Sequence, residues 1–392
     1  MSEDQYLGNL YQRFPVVIEK GSGSHVWDSN GKEYIDCMGG YGVALVGHRN
    51  ERVVNAIKSQ IEKIITVHSS LYSKTREEFL ENLFKIAPKG LTQVHLNNSG
   101  AESVEAAIKF ARKFTGKKGM VAMKGSYHGK SMGALSLTFN PKYRESFKPL
   151  VEGAKFSAYG DLDALRDSID GDTAFIILEP IQGESGIHIP PDGFLQGVRK
   201  ICDENEILLI FDEIQSGLGR TGRMWASEHW ETTPDIMCLA KGIAGGIPMG
   251  ATLVKSDILS VMKKGEHSST FGGNPVSCAA GTATIQALTQ DNLLKNAELM
   301  GDKLFQGLIE LKNKHSIIRE VRGKGLMIGV ELKFEVKDIL LEGIKNGLLL
   351  LYSGRNILRF LPPLVISDED VTNTLQIPVS YTHLTLPTNR EV

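Results

Sequence analysis

TAFIILEPIQGESGIHIPPDGFLQGVRKICDENEILLIFDE, residues 173 to 213, is the stretch that decides the fold. It carries two short, wholly apolar runs (174–178 and 207–211), and a helical pattern from about 193 to 205 lies between them. Neighbouring parallel strands cannot be joined by a tight turn, so two buried-strand patterns separated by a helix-sized connection read as a parallel crossover. The pattern recurs outward: QVHLNN (93–98) runs into a helix from about 100 to 115, and GMVAMKG (119–125), DIMCLAK (235–241) and GATLVKS (250–256) are further strands. The expectation is an α/β fold with a large, mostly parallel sheet and helices on both faces. Residues 290–376 instead alternate amphipathic helix (LLKNAELMGDKLFQGLIELKNK, 293–314) with short strands (GLMIGVEL, ILRFLPPL), the pattern of a smaller α+β domain. The predicted division is 56–295 for the large domain and 1–55 with 296–376 for the small one.

A chain of 392 residues suits two domains, because single cores rarely grow beyond roughly 250–300 residues. Apolar residues make up 41%, charged residues 23%, and the formal charge is -2. Such a balance offers no electrostatic case for nucleic acid or a membrane surface. The four cysteines, Cys37, Cys202, Cys238 and Cys278, stand far apart without a CxxC pair, which reads as buried reduced thiols and no metal site. The acidic opening MSEDQYLGNLYQRFP lacks the apolar core of a secretory signal. Runs such as ILLIF (207–211) and GLLLLY (347–352) fall far short of the roughly 20 residues that span a bilayer. A cytoplasmic protein without a membrane partner is expected.

In open parallel sheets ligands bind at the carboxyl ends of the strands. The polar residues fall there: Asn97 to Gly100, Ser126 to His128, Glu179, Asp212 and Lys241 each follow an apolar run. Ser99 and Glu102 have capping-box spacing, and the helix start behind them is either merely capped or an anion site. GLGRTG (217–222) matches a dinucleotide-binding glycine pattern, but DEIQS separates it from the strand and no helical period opens from Gly222, so a turn is the reading. Asp212 closes a buried strand and needs a cationic partner. That partner is either Lys241 as an ion pair or the protonated ring nitrogen of a cofactor, with Lys241 then a Schiff-base amine. A phosphate site, a stacking aromatic (Tyr127), an aspartate and a lysine are together the contacts that pyridoxal phosphate requires.

With these residues in place the sequence resembles the class III aminotransferases of the acetylornithine and ornithine type, a branch of the fold type I pyridoxal phosphate-dependent transferases. The resemblance runs from about 16 to 366. It rests on VWDSNGKEYIDCMGGYGVALVGH, NNSGAESVEAAIKFAR, YHGKSMGALSLT, EPIQGESG, LLIFDEIQSGLGRTG, DIMCLAKGIAGGIPMGA, STFGGNP, VRGKGLMIGVEL and LRFLPPLVI. It implies that Lys241 binds the cofactor aldehyde, Asp212 keeps the ring nitrogen protonated and Gln215 reaches the ring hydroxyl. Ser99, Gly100 and Ala101 would cradle the phosphate, Tyr127 would cover the ring, and His128 is a further cofactor-binding position. Thr270 would cross to the phosphate of a second subunit, so a homodimer with shared sites is implied. Arg359 would bind the α-carboxylate of glutamate or 2-oxoglutarate, with Glu184 pairing that arginine when an ω-amine donor occupies the site.

Within the family the sequence is similar to archaeal enzymes of lysine and arginine synthesis that act on an acidic amino-group carrier protein. Lys130 stands where the family usually has an arginine contacting substrate carboxylate. A lysine keeps the charge but loses the bidentate fork, which suits a bulky or carrier-linked lysine or ornithine ahead of N-acetylornithine. The alternatives are acetylornithine, ornithine or 4-aminobutyrate aminotransferases on free substrates, and a class III semialdehyde aminomutase. Residues 377–392, after DEDVTNTLQ, carry no helical apolar period and are expected to be a non-native tail outside the core.

Overall fold

The computed structural model describes residues 3 to 382. Strands follow in chain order: β1 (Ile18–Ser22), β2 (His25–Asp28), β3 (Glu33–Asp36), β4 (Gln93–Asn97), β5 (Gly119–Met123), β6 (Ala154–Ser157), β7 (Thr173–Leu178), β8 (Leu208–Asp212), β9 (Ile236–Leu239) and β10 (Gly250–Val254). Then come β11 (Ile318–Lys324), β12 (Met327–Leu332), β13 (Leu348–Leu349), β14 (Leu351–Ser353) and β15 (Ile357–Phe360). The large sheet has the order β4-β10-β9-β8-β7-β5-β6. Strands β5 to β9 pair in parallel, whereas β10 runs antiparallel to both β9 and β4. The segment between β9 and β10 carries only a short 3-10 turn, too little chain for a parallel crossover, so β10 has to reverse. Six carboxyl ends therefore emerge at one edge.

Alternate side chains along each strand enter different cores, which is why the runs are apolar at every position. Val121, Met123, Ile176, Leu178, Leu209 and Phe211 pack against Phe194, Leu195, Val198 and Ile201 of the helix Phe194–Glu204. The alternating Met120, Ala122, Phe175, Ile177 and Ile210 pack against Val104, Ala107, Ile108 and Ala111 of the helix Gly100–Thr115. Each such aliphatic or aromatic side chain contributes about 1.5–3 kcal/mol by its burial. This holds the strand ends rigidly under the site.

A second sheet, β11-β12-β15-β14, is antiparallel, and a third joins β1, β2 and β3 to β13. Leu348 of β13 pairs in parallel with Ile35 of β3, so the N-terminal strands and the last part of the chain share a sheet. The GLGRTG segment is a turn: Gly219 and Gly222 have φ of 90° and 87°. Arg220 is fully buried inside it, donating through Nη1 to the carbonyls of Leu326 (3.1 Å) and Pro362 (2.5 Å).

The last helix runs Asp368–Thr382, beyond 376, while residues 383–392 lie outside the described residues. Its first turn is acidic, which suits the positive helix start, and it is anchored there. Asp370 accepts from Ser24 Oγ at 2.8 Å and meets His25 Nε2 at 2.9 Å, and Lys303 Nζ donates to Thr372 Oγ1 at 2.8 Å. Once nucleated by such contacts a helix propagates without an apolar period of its own.

Candidate active site

Asp212 is the last residue of β8 and is buried. Its Oδ2 lies 2.7 Å from His128 Nδ1 and its Oδ1 accepts the Ile214 N–H at 3.1 Å. A carboxylate only accepts, so the His128 proton sits on Nδ1, and the buried Nε2 is left with no partner. Glu179, directly after β7, accepts from the Tyr127 N–H at 3.0 Å and the Gly183 N–H at 2.9 Å. Burial pushes its carboxyl up to about 7, His128 opposing and Asp212 adding to the rise.

Lys241 begins the turn after β9 with φ of 47°, a left-handed conformation that a lysine adopts only where its surroundings impose it. Burial lowers its amine pKa, and Asp212, Glu184 and Glu179 oppose that shift in this order. All three carboxylates thus act electrostatically on one amine. An amine whose charged form is disfavoured is the nucleophilic form of lysine.

At the start of the helix Gly100–Thr115, Ser99 Oγ accepts from the Glu102 N–H at 3.2 Å and Glu102 accepts from the Asn98 N–H at 2.8 Å. Among the described residues no acceptor meets the N–H groups of Gly100 and Ala101, so the helix start offers free donors to an anion. A Cβ on Gly100 would meet Ile214 at 2.9 Å, and Ile214 is two residues from Asp212. The helix start and the end of β8 are therefore in contact.

Gln215 donates through Nε2 to the Tyr41 carbonyl at 3.3 Å, while its buried Oε1 has no partner. Arg359, on β15, is wholly buried: Nη2 reaches Glu184 Oε2 at 2.8 Å and Nη1 the Gly183 carbonyl at 3.0 Å. Its guanidinium lies 5.9 Å from the Tyr41 ring centre. Tyr127 meets Tyr143 edge-on at 5.9 Å, and exposed Lys130 sits 4.8 Å over the Tyr143 ring. Thr270 is exposed on this chain. Tyr143 lies outside every motif quoted from the sequence, whereas Tyr41 and Glu179 lie within two of them without any role assigned to Tyr41, and Glu179 is marked as a polar strand end.

The residues fit pyridoxal phosphate. Among the described residues Gln215 Oε1 and His128 Nε2 are buried without partners, His128 on Asp212 itself and Gln215 three residues beyond it, and free backbone donors lie at the adjoining helix start. Gly183 marks how close the packing is, since a Cβ there would lie 2.0 Å from Gln215 Oε1. Gly183→Ala is expected to leave the chain folded while displacing the Gln215 amide, weakening cofactor binding by roughly tenfold, the loss of about one hydrogen bond. Titration of cofactor absorbance against protein checks it. Cavities of about 510 and 520 Å³ lie elsewhere, beside Trp27 and His48 and beside His95 and His267, without this convergence of charge. Among the described residues no three His, Cys, Asp or Glu side chains gather as metal ligands, and no helix is long and apolar enough to cross a membrane.

The family model described as "Aminotransferase class-III" matches residues 6–380. An acetylornithine aminotransferase of Methanopyrus kandleri is 45% identical over 95% of each chain. An ornithine aminotransferase of Staphylococcus aureus is 42% identical over 94% of this chain and 95% of its own. The solved ornithine aminotransferase of Toxoplasma gondii superposes with a TM-score of 0.93 at 33% identity, covering 97% of this chain and 94% of that one. A second structure of that protein carries PLP at partial occupancy in its active site. Similarity of this extent, joined to a lysine and an aspartate at neighbouring strand ends, settles the family: the chain belongs to the class III aminotransferases, pyridoxal phosphate-dependent enzymes of fold type I.

Proposed function

We propose that the protein moves the terminal amino group of N-acetylornithine or ornithine to 2-oxoglutarate, forming glutamate, in arginine synthesis. The observation that carries this reading is the pair Arg359–Glu184. A fully buried guanidinium held at 2.8 Å by a partly exposed carboxylate can exchange that carboxylate for a substrate's. A dicarboxylate takes Arg359 when Glu184 gives way, and an ω-amine donor leaves the pair closed. One pocket thereby accepts two unlike substrates, which a one-substrate aminomutase does not need.

The remaining roles complete the proposal. Gly100 and Ala101 N–H groups, with Ser99, would hold the phosphate, and Tyr127 would cover the ring. Gln215 would take the ring hydroxyl and Asp212, steadied by His128, would hold the ring nitrogen protonated. Pyridoxal phosphate, when bound, supplies the electron sink for the pair left behind as a proton departs the substrate carbon. Lys241 Nζ takes that proton and returns it, the work of a base whose pKa burial has brought down.

A homodimer is supported by a surface in which Leu71, Tyr72 and Phe271 are all exposed. Arg76 stitches it together, donating to the carbonyls of Val67 (2.8 Å), Leu71 (3.0 Å) and Gly273 (2.9 Å). A second copy seated there would bring Thr270 to a neighbouring phosphate. Four free, buried cysteines support a reducing, cytoplasmic setting.

Lys130 supports a second reading, a lysine or ornithine linked to an acidic carrier protein in lysine or arginine synthesis. It is exposed beside the site and leans on Tyr143, offering a point charge and no fork. The test is kcat/KM, read as glutamate formed, for N-acetylornithine, ornithine, 4-aminobutyrate and a carrier-linked donor, in parent and Lys130→Arg enzymes. We expect the two ornithine-type donors to exceed 4-aminobutyrate by roughly tenfold or more, about 1.4 kcal/mol. Glutamate formation from neither would refute the proposal, and a comparable preference for the carrier-linked donor would replace it by the second reading.

A further inference from the structure

Gly183 sits between two buried charged groups. Its N–H donates to Glu179 Oε2 at 2.9 Å, and its carbonyl accepts from Arg359 Nη1 at 3.0 Å. The other Glu179 oxygen, Oε1, accepts the Tyr127 N–H at 3.0 Å. One carboxylate thus ties the backbone of Tyr127 to Gly183, the residue whose carbonyl orients Arg359. The next residue, Glu184, is the carboxylate engaging Arg359 Nη2, and its carbonyl is held by Ser353 Oγ at 2.5 Å. When Glu184 swings away, the Gly183 carbonyl is the contact that still aims the guanidinium.

Glu179 is 7% exposed and makes no ion pair among the described residues. A lone buried carboxylate is an expensive way to satisfy two amides if satisfying them is its whole purpose. We infer that Glu179 is a positioning residue for the dicarboxylate half-reaction: by anchoring the N–H of Gly183 it holds the residue whose carbonyl keeps Arg359 aimed while a substrate carboxylate replaces Glu184. The inference rests on the reading of Arg359 as the carboxylate receptor.

The groups facing Glu179 are His128, Asp212, Lys241, Tyr127 and Tyr159. Its carboxyl lies at about 7, so above that pH both oxygens accept and the Gly183 N–H is held. Below it one oxygen carries a proton, donates, and competes with an amide. The neutral variant Glu179→Gln reproduces that low-pH state at every pH, and Glu179→Asp is a methylene too short to span both amides.

The experiment uses the holoenzyme for kinetics and the full chain for amide exchange. Glu179→Gln is expected to raise KM for 2-oxoglutarate by roughly tenfold, the effect of one lost hydrogen bond to a charged group, and to leave KM for the ω-amine donor within about twofold. Exchange of the Gly183 and Tyr127 amides accelerates in the variant. The parent's KM for 2-oxoglutarate climbs as pH falls below about 7, and that dependence is absent from Glu179→Gln, while Glu179→Asp fails to rescue. An equal rise in both KM values, an unaltered KM for 2-oxoglutarate, or unaltered amide exchange overturns the inference. Arg359→Ala separates the two levels. If it keeps the parent's KM for 2-oxoglutarate, the reading of Arg359 itself fails; if it loses 2-oxoglutarate while Glu179→Gln does not, only the role of Glu179 fails.

Discussion

Lys241→Ala is expected to abolish transamination, with turnover falling by roughly a thousandfold or more, because a covalent anchor and a proton carrier disappear together. The fold is expected to survive. Lys241 occupies a short turn between β9 and β10 whose flanking residues, Ile243, Ala244 and Leu239, are fully buried, and among the described residues the lysine side chain makes no hydrogen bond that holds the turn. The left-handed backbone at this position remains unfavourable for alanine, so the strain is carried over and not relieved. Visible absorbance from lysine-bound cofactor is lost, while the far-ultraviolet circular dichroism of the variant matches the parent. Turnover within about tenfold of the parent would remove Lys241 from the chemistry, since general base catalysis alone contributes more than that.

The large sheet was legible because its central strands are buried on both faces and therefore almost wholly apolar, as Ala174 to Leu178 illustrate. β6 escaped because Ala154–Ser157 is a four-residue edge strand, too short for its apolar–polar alternation to stand out. The reversal of β10 could be read only by noticing that ten residues separate it from β9, since its composition matches that of its parallel neighbours. Lys241 and Asp212 stood out because charged residues rarely close buried strands. Other parts of the site come from distant segments that only the fold brings together: Tyr41 beside Arg359, Tyr143 beside Tyr127, and Glu179 between Tyr127 and Gly183. Lys130 shows the limit from the other side. Its charge is plain in the sequence, yet its resting place over the Tyr143 ring depends on a residue 13 positions away that no motif connects to it.

Asp212→Asn is expected to lower kcat by roughly a hundredfold to a thousandfold, about 2.7–4 kcal/mol, with a much smaller effect on stability. The substitution keeps shape and removes charge. Asparagine's carbonyl oxygen can still accept from His128 Nδ1 or the Ile214 N–H, so the end of β8 need not rearrange. Alanine is the poorer test, because it strands the buried His128 with both nitrogens unpartnered and adds a stability loss to the catalytic one. What asparagine cannot do is hold a proton on a ring nitrogen. A buried carboxylate stabilises that cation in a site screened from water, and a neutral amide leaves the ring free to lose the proton and with it most of its capacity to accept electrons. The effect should therefore fall on kcat for both half-reactions alike, unlike substitutions at Arg359 or Glu179, which act on the dicarboxylate half. Single-turnover rates with an ω-amine donor and with glutamate check this division. A loss confined to one half-reaction, or turnover within about tenfold of the parent, would reduce Asp212 to a structural partner of His128.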